Sequence, residues 1–534
     1  MSTKVIVIFG GVYSSLGKGI TSSSIGRILT EMKYKVSMLK CDPYLNVDPG
    51  TLSPYQHGEV FVTYDGAETD LDLGNYERFT GKKMSRMSTL TSGRVYSEII
   101  SKERAGGYEG KTVQVIPHVT DHIKNKIYKL IEAENPDFLL IEIGGTVGDI
   151  ESIPFVEAMS QFTSEYGKDN VMSILCAPLI YIPTSEEIKT KPTQHSFKEL
   201  CSLGITPSIL ILRYTQMVDQ SIIDKIALNC HLSSKNIFVS PNLKSTYFLP
   251  VELYNQGIYN SIMKYFGMKI DPNANIDNWV KYTDKIKSIK DEIKIAIVGK
   301  YIELHDSYAS LVESLKLAGY EYSRNVKIGW VNSDTLTPKN LKTKFKGYHG
   351  ILIPGGFGTR GIEGKILAAQ YARTSKTPYM GICLGMQIAT IEFARNVLGW
   401  KDATSQEFNP KSKRHVFHYI DGRMRLGEQV CQLVNKSTKC YKLYKNEFVA
   451  ERHRHRYEFN NKYIKAFEDK GFVFSAFSND SEKTVEMIEL KDHPFFLGGQ
   501  FHPELGSIPG NVDPMFIGFI GASIKHSQQK KTKK

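Results

Sequence analysis

The chain has 534 residues, 41% of them hydrophobic, and carries a formal charge of +12 at neutral pH. That is apolar material for roughly two to four soluble domains. No apolar run is long enough to span a bilayer, and the first strand-like residues follow Met1 without a cleavage region, so membrane and secreted classes are excluded and a cytoplasmic location is expected. Seven cysteines, at 41, 176, 201, 230, 383, 431 and 440, are scattered and never in C-x-x-C spacing. Neither a disulfide framework nor a cysteine-held metal is indicated. The positive excess suits small polyanionic substrates; the lysines at the end of the chain lack interleaved aromatics and give no reason to expect nucleic acid.

In chain order, Val5–Phe9 reads as a strand, a Gly/Ser loop follows, a helix runs to about Lys33, and Val36–Leu39 is the next strand. Val113–Ile116, Phe138–Ile143, Val171–Leu175 and Ile209–Leu212 continue the series, each separated by enough chain for a crossover helix. This alternation predicts an α/β domain over 1–267, a doubly wound parallel sheet of the P-loop type. Residues 268–292, polar and lysine-rich, predict a linker. Alternation restarts at Ile295–Lys300 and continues through Gly350–Pro354, Pro378–Gly381, Thr484–Leu490 and Phe495–Gly499. A second α/β domain is therefore expected over 293–525, with a surface loop over Lys401–Asp421 and a basic, disordered tail at 526–534.

The first strand opens into Gly10-Gly11-Val-Tyr-Ser14-Ser15-Leu16-Gly17-Lys18-Gly19-Ile20-Thr21-Ser22, a Gly-rich loop entering a helix. Backbone N–H groups there can cradle phosphates while Lys18 neutralises them. The first glycine is one residue early for a Walker A loop and Gly19 stands where Ser or Thr belongs, so an unliganded turn also fits. Asp72 and Glu142 are carboxylates suited to a magnesium nucleotide, Glu142 at the carboxyl edge of a predicted parallel sheet. Basic clusters around Lys40 and over Lys189-Thr-Lys191-Pro-Thr-Gln194-His195 suggest a second polyphosphate ligand.

In the second domain a strand runs into Gly381-Ile-Cys383-Leu384-Gly385-Met-Gln387 and a helix-compatible run leaves it. This is a G-x-nucleophile-x-G elbow with cysteine as nucleophile; the helix N-terminus favours the thiolate. A buried structural cysteine between turn glycines fits the bare pattern equally. Gln500-Phe-His502-Pro-Glu504 follows a strand, and a spacing of two in extended chain puts His502 and Glu504 on one side, a base with its orienting carboxylate. Pro354-Gly-Gly356-Phe-Gly358 offers backbone donors that, with the Leu384 N–H, can hold an oxyanion; a tight turn is the alternative.

Pro-Gly-Gly-Phe-Gly, Gly-Ile-Cys-Leu-Gly-Met-Gln and His-Pro-Glu, in this order, resemble the class I glutamine amidotransferase family. The resemblance implies a glutamyl thioester on Cys383, proton shuttling by His502 oriented by Glu504, and glutamine held by Gln387, Glu407 and Arg456. With Asp48-Pro-Gly-Thr-Leu-Ser-Pro-Tyr-Gln-His57-Gly-Glu-Val60, Gln114-Val-Ile-Pro-His118 and Ile143-Gly-Gly-Thr-Val-Gly-Asp149-Ile150-Glu151-Ser, nearly the whole chain resembles the CTP synthase family. That implies ATP-dependent amination of UTP to CTP through a 4-phosphorylated UTP, with ammonia from glutamine passing an internal channel.

By matching motif, the resemblance assigns Ser15, Leu16, Gly17, Lys18, Gly19, Ile20, Lys40, Asp72 and Arg213 to ATP, and Asp72 and Glu142 to Mg²⁺. It assigns Ser14, Asp149, Ile150, Glu151, Lys189, Lys191, Gln194 and Lys225 to UTP or inhibitory CTP, and His57 and Val60 to the channel gate. GTP as activator and a homotetramer are implied as well. This chain carries Glu109 where relatives carry Leu, in a loop tied to GTP-stimulated coupling, and its 411–422 region is short. An ATP-dependent amidotransferase acting on a carboxylate, or a nucleotide-sensing filament subunit, are the competing readings.

Overall fold

Strand β1 (Lys4–Gly10) is apolar and buried from Val5 onward, as a strand covered on both faces must be. The computed structural model, which describes residues 2–13, 16–214, 218–300, 302–420 and 424–532, divides into two units. The first comprises 1–51 and 72–284, the second 52–71 and 285–534.

In the first unit β1, β2 (Val36–Asp42), β3 (Thr89–Thr91), β4 (Phe138–Ile143), β5 (Val171–Pro178), β6 (Ile209–Tyr214) and β7 (Ile237–Pro241) form one sheet in the order β7-β6-β5-β1-β4-β2-β3. Its paired strands run parallel, as the alternation predicts. Register places Glu142 beside Ile8 on one flank and Lys40 on the other. Two of the predicted charges thus meet on one face of the sheet. Helix α1 (Lys18–Glu31) leaves the loop after β1, and α2 (Asp72–Thr80) begins at Asp72.

Val113–Ile116, expected as a strand, is not one: residues 115–119 make a helical turn that leads into the helix Thr120–Glu134. Val115 and Ile116 are exposed, so no apolar layer draws this stretch into the sheet. The 268–292 stretch, expected as a linker, holds the boundary between the two units at 284/285. It contains α3 (Asp277–Ser288), with Trp279 buried against Tyr247 and Phe79 and under the Arg27 guanidinium. Ile276, Thr283 and Ile286 are buried with the indole and anchor a segment whose composition otherwise reads as solvated.

The second unit holds β8 (Glu292–Gly299), β9 (Asn325–Asn332), β10 (Gly350–Ile353), β11 (Tyr379–Ile382), β12 (Arg425–Leu433), β13 (Phe448–His455), β14 (Phe472–Ser478), β15 (Val485–Leu490) and β16 (Phe496–Gly499), in the order β9-β8-β10-β11-β16-β15-β14-β12-β13. From β9 to β16 the pairs are parallel, and beyond β16 antiparallel. Alternate residues of β8 feed two cores: Ile293, Ile295 and Ile297 on one face, Ala296 and Val298 on the other. Helices α4 (Ile362–Ser375) and α5 (Leu384–Asn396) follow β10 and β11.

Within 401–421, expected as loop, Thr404–Ser405 and His415–Tyr419 join Tyr457–Phe459 in a small sheet. Helix α6 (Pro514–Thr532) runs through most of the stretch expected as a disordered tail; no Gly or Pro after Gly521 interrupts it. No helix among the described residues is long and apolar enough to cross a membrane.

Candidate active site

Cys383 is the turn between β11 and α5, with φ 50° and ψ −105°, a left-handed conformation that side-chain-bearing residues rarely adopt. Its flanking glycines are obligatory. A Cβ on Gly381 would lie 2.6 Å from Gly385 backbone, and one on Gly385 would lie 2.0 Å from the Ile353 carbonyl oxygen. The Cys383 N–H donates to the Gly499 carbonyl at 2.7 Å, which locks the corner to β16. The strained elbow expected from sequence is therefore formed.

His502 follows β16 and its Nδ1 lies 2.8 Å from Glu504 Oε1. Gly355 is the spacer of the site: a Cβ there would meet the His502 ring at 2.7 Å and the Cys383 Cβ at 3.5 Å. Burial opposes charging of His502, yet the Glu504 carboxylate and the Cys383 sulfur outweigh it and raise its pKa to about 10. The Leu384 side chain lies 3.6 Å from where a Gly356 Cβ would be, so the two expected oxyanion-hole residues are neighbours. Glu407 accepts from the Gly358 N–H at 2.7 Å and holds that loop. Burial raises the Glu407 pKa, while Gly358, Lys300 and Arg456 favour its charged form. Lys300 donates to the Phe357 carbonyl from within the same unit. Gln387 is buried, its Nε2 3.4 Å from Gln500 Oε1. Arg456 is exposed, its Nε beside Met424 Sδ at 3.4 Å.

Gln500 was not anticipated, and its Nε2 donates to Cys383 Sγ at 3.6 Å. A signal for it exists: it stands two residues before His502 in extended chain, on the same side. On β13 lie buried His453 and His455, His453 Nδ1 2.9 Å from His455 Nε2, whose pKa values burial and Arg425 push well down. His57 pairs with Asp70 at 3.3 Å, and Val60 is half-buried.

In the first unit Gly17 caps α1 with φ 80°, and Lys18 Nζ bends back to the Gly145 carbonyl at 2.5 Å. Leu16 is buried and Ile20 half-buried; Ser14 and Ser15 lie outside the described residues. A Cβ on Gly19 would be 1.9 Å from Asp72 Oδ1, so glycine stands there because a carboxylate occupies the space. Lys40 bonds Asp72 and reaches Glu142 at 3.2 Å; Tyr76 donates to the other Glu142 oxygen. Burial raises the Glu142 pKa against the pull of Lys40, and burial lowers that of Lys18.

Asp42 belongs to this cluster and was missed. It is buried 3.6 Å from Lys40, its Oδ2 has no hydrogen-bond partner among the described residues, and burial pushes its pKa up to about 6. Its position as last residue of β2, at the carboxyl edge, was the available signal. Three hard carboxylates around one orphaned oxygen fit the donor set of Mg²⁺.

Arg213, at the end of β6, donates to the Pro241 carbonyl and Asn242 Oδ1 at 3.1 and 2.6 Å. Asp149, Ile150 and Glu151 sit on an exposed loop after β4, braced by the Thr146 N–H donating to Asp149. Lys189 pairs with Glu187, whose charge Lys225 also feels. Lys191 starts a helix, and Gln194, in that helix, is buried with its Nε2 on Thr190. Glu109 is exposed with φ 53°.

A family model described as CTP synthase N-terminus matches residues 4–268, and one described as glutamine amidotransferase class-I matches 303–522. A cysteine elbow with a braced imidazole in the second match, and a Gly-rich loop over a carboxylate–lysine cluster in the first, make the chain a glutamine-dependent amidotransferase with a fused synthase half. It is similar to the CTP synthase of Bacillus subtilis, 48% identical over 99% of this chain and all of the relative. The CTP synthase of Mesoplasma florum is 48% identical over 98% of this chain and 99% of the relative. Among solved structures, the glutaminase domain of Trypanosoma brucei CTPS with bound acivicin is 38% identical, covering 44% of this chain and 94% of that one, with a TM-score of 0.42. The chain belongs to the CTP synthase family.

Proposed function

We propose that this chain converts UTP into CTP, drawing nitrogen from glutamine and consuming ATP. The observation that carries the reading is the match to CTP synthases from end to end, through both a synthase and a class-I amidotransferase family model.

At the first centre Cys383 Sγ attacks the glutamine carboxamide carbon. The oxyanion is received between the Gly356 and Leu384 amides. His502, oriented by Glu504, passes the thiol proton to the departing ammonia; it then takes a proton from the water that cleaves the γ-glutamyl thioester to glutamate. Gln387, Glu407 and Arg456 hold glutamine, Glu407 from the loop it already bonds.

At the second, Lys18 and Lys40 neutralise the phosphates as the γ-phosphoryl group passes to O4 of UTP, and ammonia then displaces phosphate at C4. Asp72 and Glu142, with Asp42, hold Mg²⁺, which supplies charge neutralisation when bound. Ser15, Leu16, Gly17, Gly19, Ile20 and Arg213 line the ATP site. Ser14, Asp149, Ile150, Glu151, Lys189, Lys191, Gln194 and Lys225 take UTP or inhibitory CTP.

His57 and Val60 gate the ammonia channel, GTP activates, and the assembly is a cytoplasmic homotetramer. The supporting residues for the channel are the His57–Asp70 pair and for GTP the exposed loop at Glu109. Following CTP by absorbance tests the reading: synthesis from UTP, ATP and Mg²⁺ with either glutamine or ammonium is expected. No CTP from either donor in a folded sample overturns it.

A further inference from the structure

Residues 52–71 lie in sequence inside the synthase half, yet they pack as part of the second unit. The reason is on β13. The Arg452 guanidinium lies over the buried Phe61 ring at 5.2 Å and donates to the Val62 carbonyl at 3.1 Å. Arg454 Nε donates to Glu68 Oε1 at 2.7 Å, in a pair whose side chains are 16% and 15% exposed. The segment closes on itself as a hairpin, Val62 opposite Glu68, and the Glu428 N–H donates to the Tyr64 carbonyl at 2.8 Å.

The same two arginines face the catalytic residues through their backbone. The His502 N–H donates to the Arg452 carbonyl at 2.7 Å, and the Arg454 carbonyl is 3.9 Å from Cys383 Sγ. The Arg454 guanidinium also stands over the ring of Phe357, in the oxyanion loop, at 5.0 Å. One short stretch of strand thus touches nucleophile, base and oxyanion loop on its backbone and ring contacts, and Glu68 on its side chain.

We propose that Glu68 is a positioning residue of the glutaminase centre: its ion pair with Arg454 fixes β13 and Phe357, and with them the reacting geometry of Cys383 and the oxyanion loop. Glu68 touches no reacting atom in this scheme. A displaced guanidinium would release the ring and let the loop drift, and drifts of an ångström are costly where an oxyanion must be met. Glu68 stands four residues before Asp72, so a segment anchored at one end on the glutaminase strand continues into a carboxylate of the nucleotide centre.

The inference rests on the proposed function, and the test separates the two. Glutamate release and CTP formation are measured independently for wild type, Glu68→Gln, Glu68→Asp and Arg454→Lys. In Glu68→Gln, kcat for glutamate release should fall ~30-fold while the glutamine KM stays within about twofold. Ammonia-dependent CTP formation should be unchanged, Glu68→Asp should recover part of the loss, and Arg454→Lys, which keeps the charge but not the planar fork, should show the same split. The paired exchange Glu68→Arg with Arg454→Glu should exceed either single change. Glutamate release within twofold of wild type in both Glu68→Gln and Arg454→Lys, or equal loss of glutamine- and ammonia-dependent synthesis, overturns the inference. A wild type that releases glutamate but forms no CTP from ammonium overturns the proposed function instead.

Discussion

The two centres solve opposite problems. At Cys383 the geometry is built in: a residue at φ 50°, glycines that tolerate no Cβ, and an imidazole already 2.8 Å from its carboxylate. Around Lys40 the charges are paired with one another, Lys40 with Asp72 and Glu142, while Lys18 donates to the Gly145 carbonyl. A covalent reaction on an uncharged amide needs atoms held in place, and backbone strain supplies that. A polyphosphate site needs several buried charges, and buried charges are tolerable where they neutralise one another.

If that contrast is right, the two sites should fail in different ways. The largest effect should come from Cys383→Ala: glutamine-dependent synthesis falls ~10⁶-fold while synthesis from ammonium is kept, read as CTP formed with each donor. Lys40→Met should lower both routes together, by about 10³-fold, because it removes a phosphate-neutralising charge and strands Asp72 and Glu142; equal rates with ammonium would break the comparison.

Glu504→Gln should cost about 10²-fold in glutamate release. It should also move the alkaline limb of the pH profile downward, since the carboxylate that holds the His502 proton up to about 10 is gone. The sign for stability follows the same proton: the folded pKa lies above the ordinary 6.5, so the pair stabilises fully below 6.5 and the contribution is lost as pH rises through about 10. Smallest, Glu407→Gln weakens the bond to Gly358 and one glutamine contact, and should raise the glutamine KM about tenfold with little change in ammonia-dependent synthesis.

The Cys383 elbow and the His502–Glu504 pair were legible because their signals are local: glycines at a corner, and a two-residue spacing after a strand. The nucleotide centre was half legible. Lys18, Asp72 and Glu142 stand out by type and place, but Asp42 joins them only because β2 and β4 are neighbours in register, which no stretch of sequence states. The antiparallel half of the second sheet was harder still. Strands such as Arg425–Leu433 and Phe448–His455 carry charges along their length because their partners are buried counter-charges, so alternation of apolar and polar residues does not mark them. The anchored helix at Asp277–Ser288 hid behind its lysines, although Ile276, Trp279, Thr283 and Ile286, all buried, recur at helical spacing.

The split ownership of residues 52–71 also bears on how the chain is made. Phe61 and Val62, fully buried in the second unit, leave the ribosome before the whole of Asp72–Asp284, and Arg452, which packs over them, comes later still. At ordinary elongation rates that interval is on the order of ten to forty seconds. During it an apolar hairpin must wait in a half-folded chain, and the second unit cannot complete itself from its own contiguous stretch. A fragment beginning at Lys285 would lack a piece of its fold and would be expected to regain it only when residues 52–71 are supplied from outside, as a separate peptide.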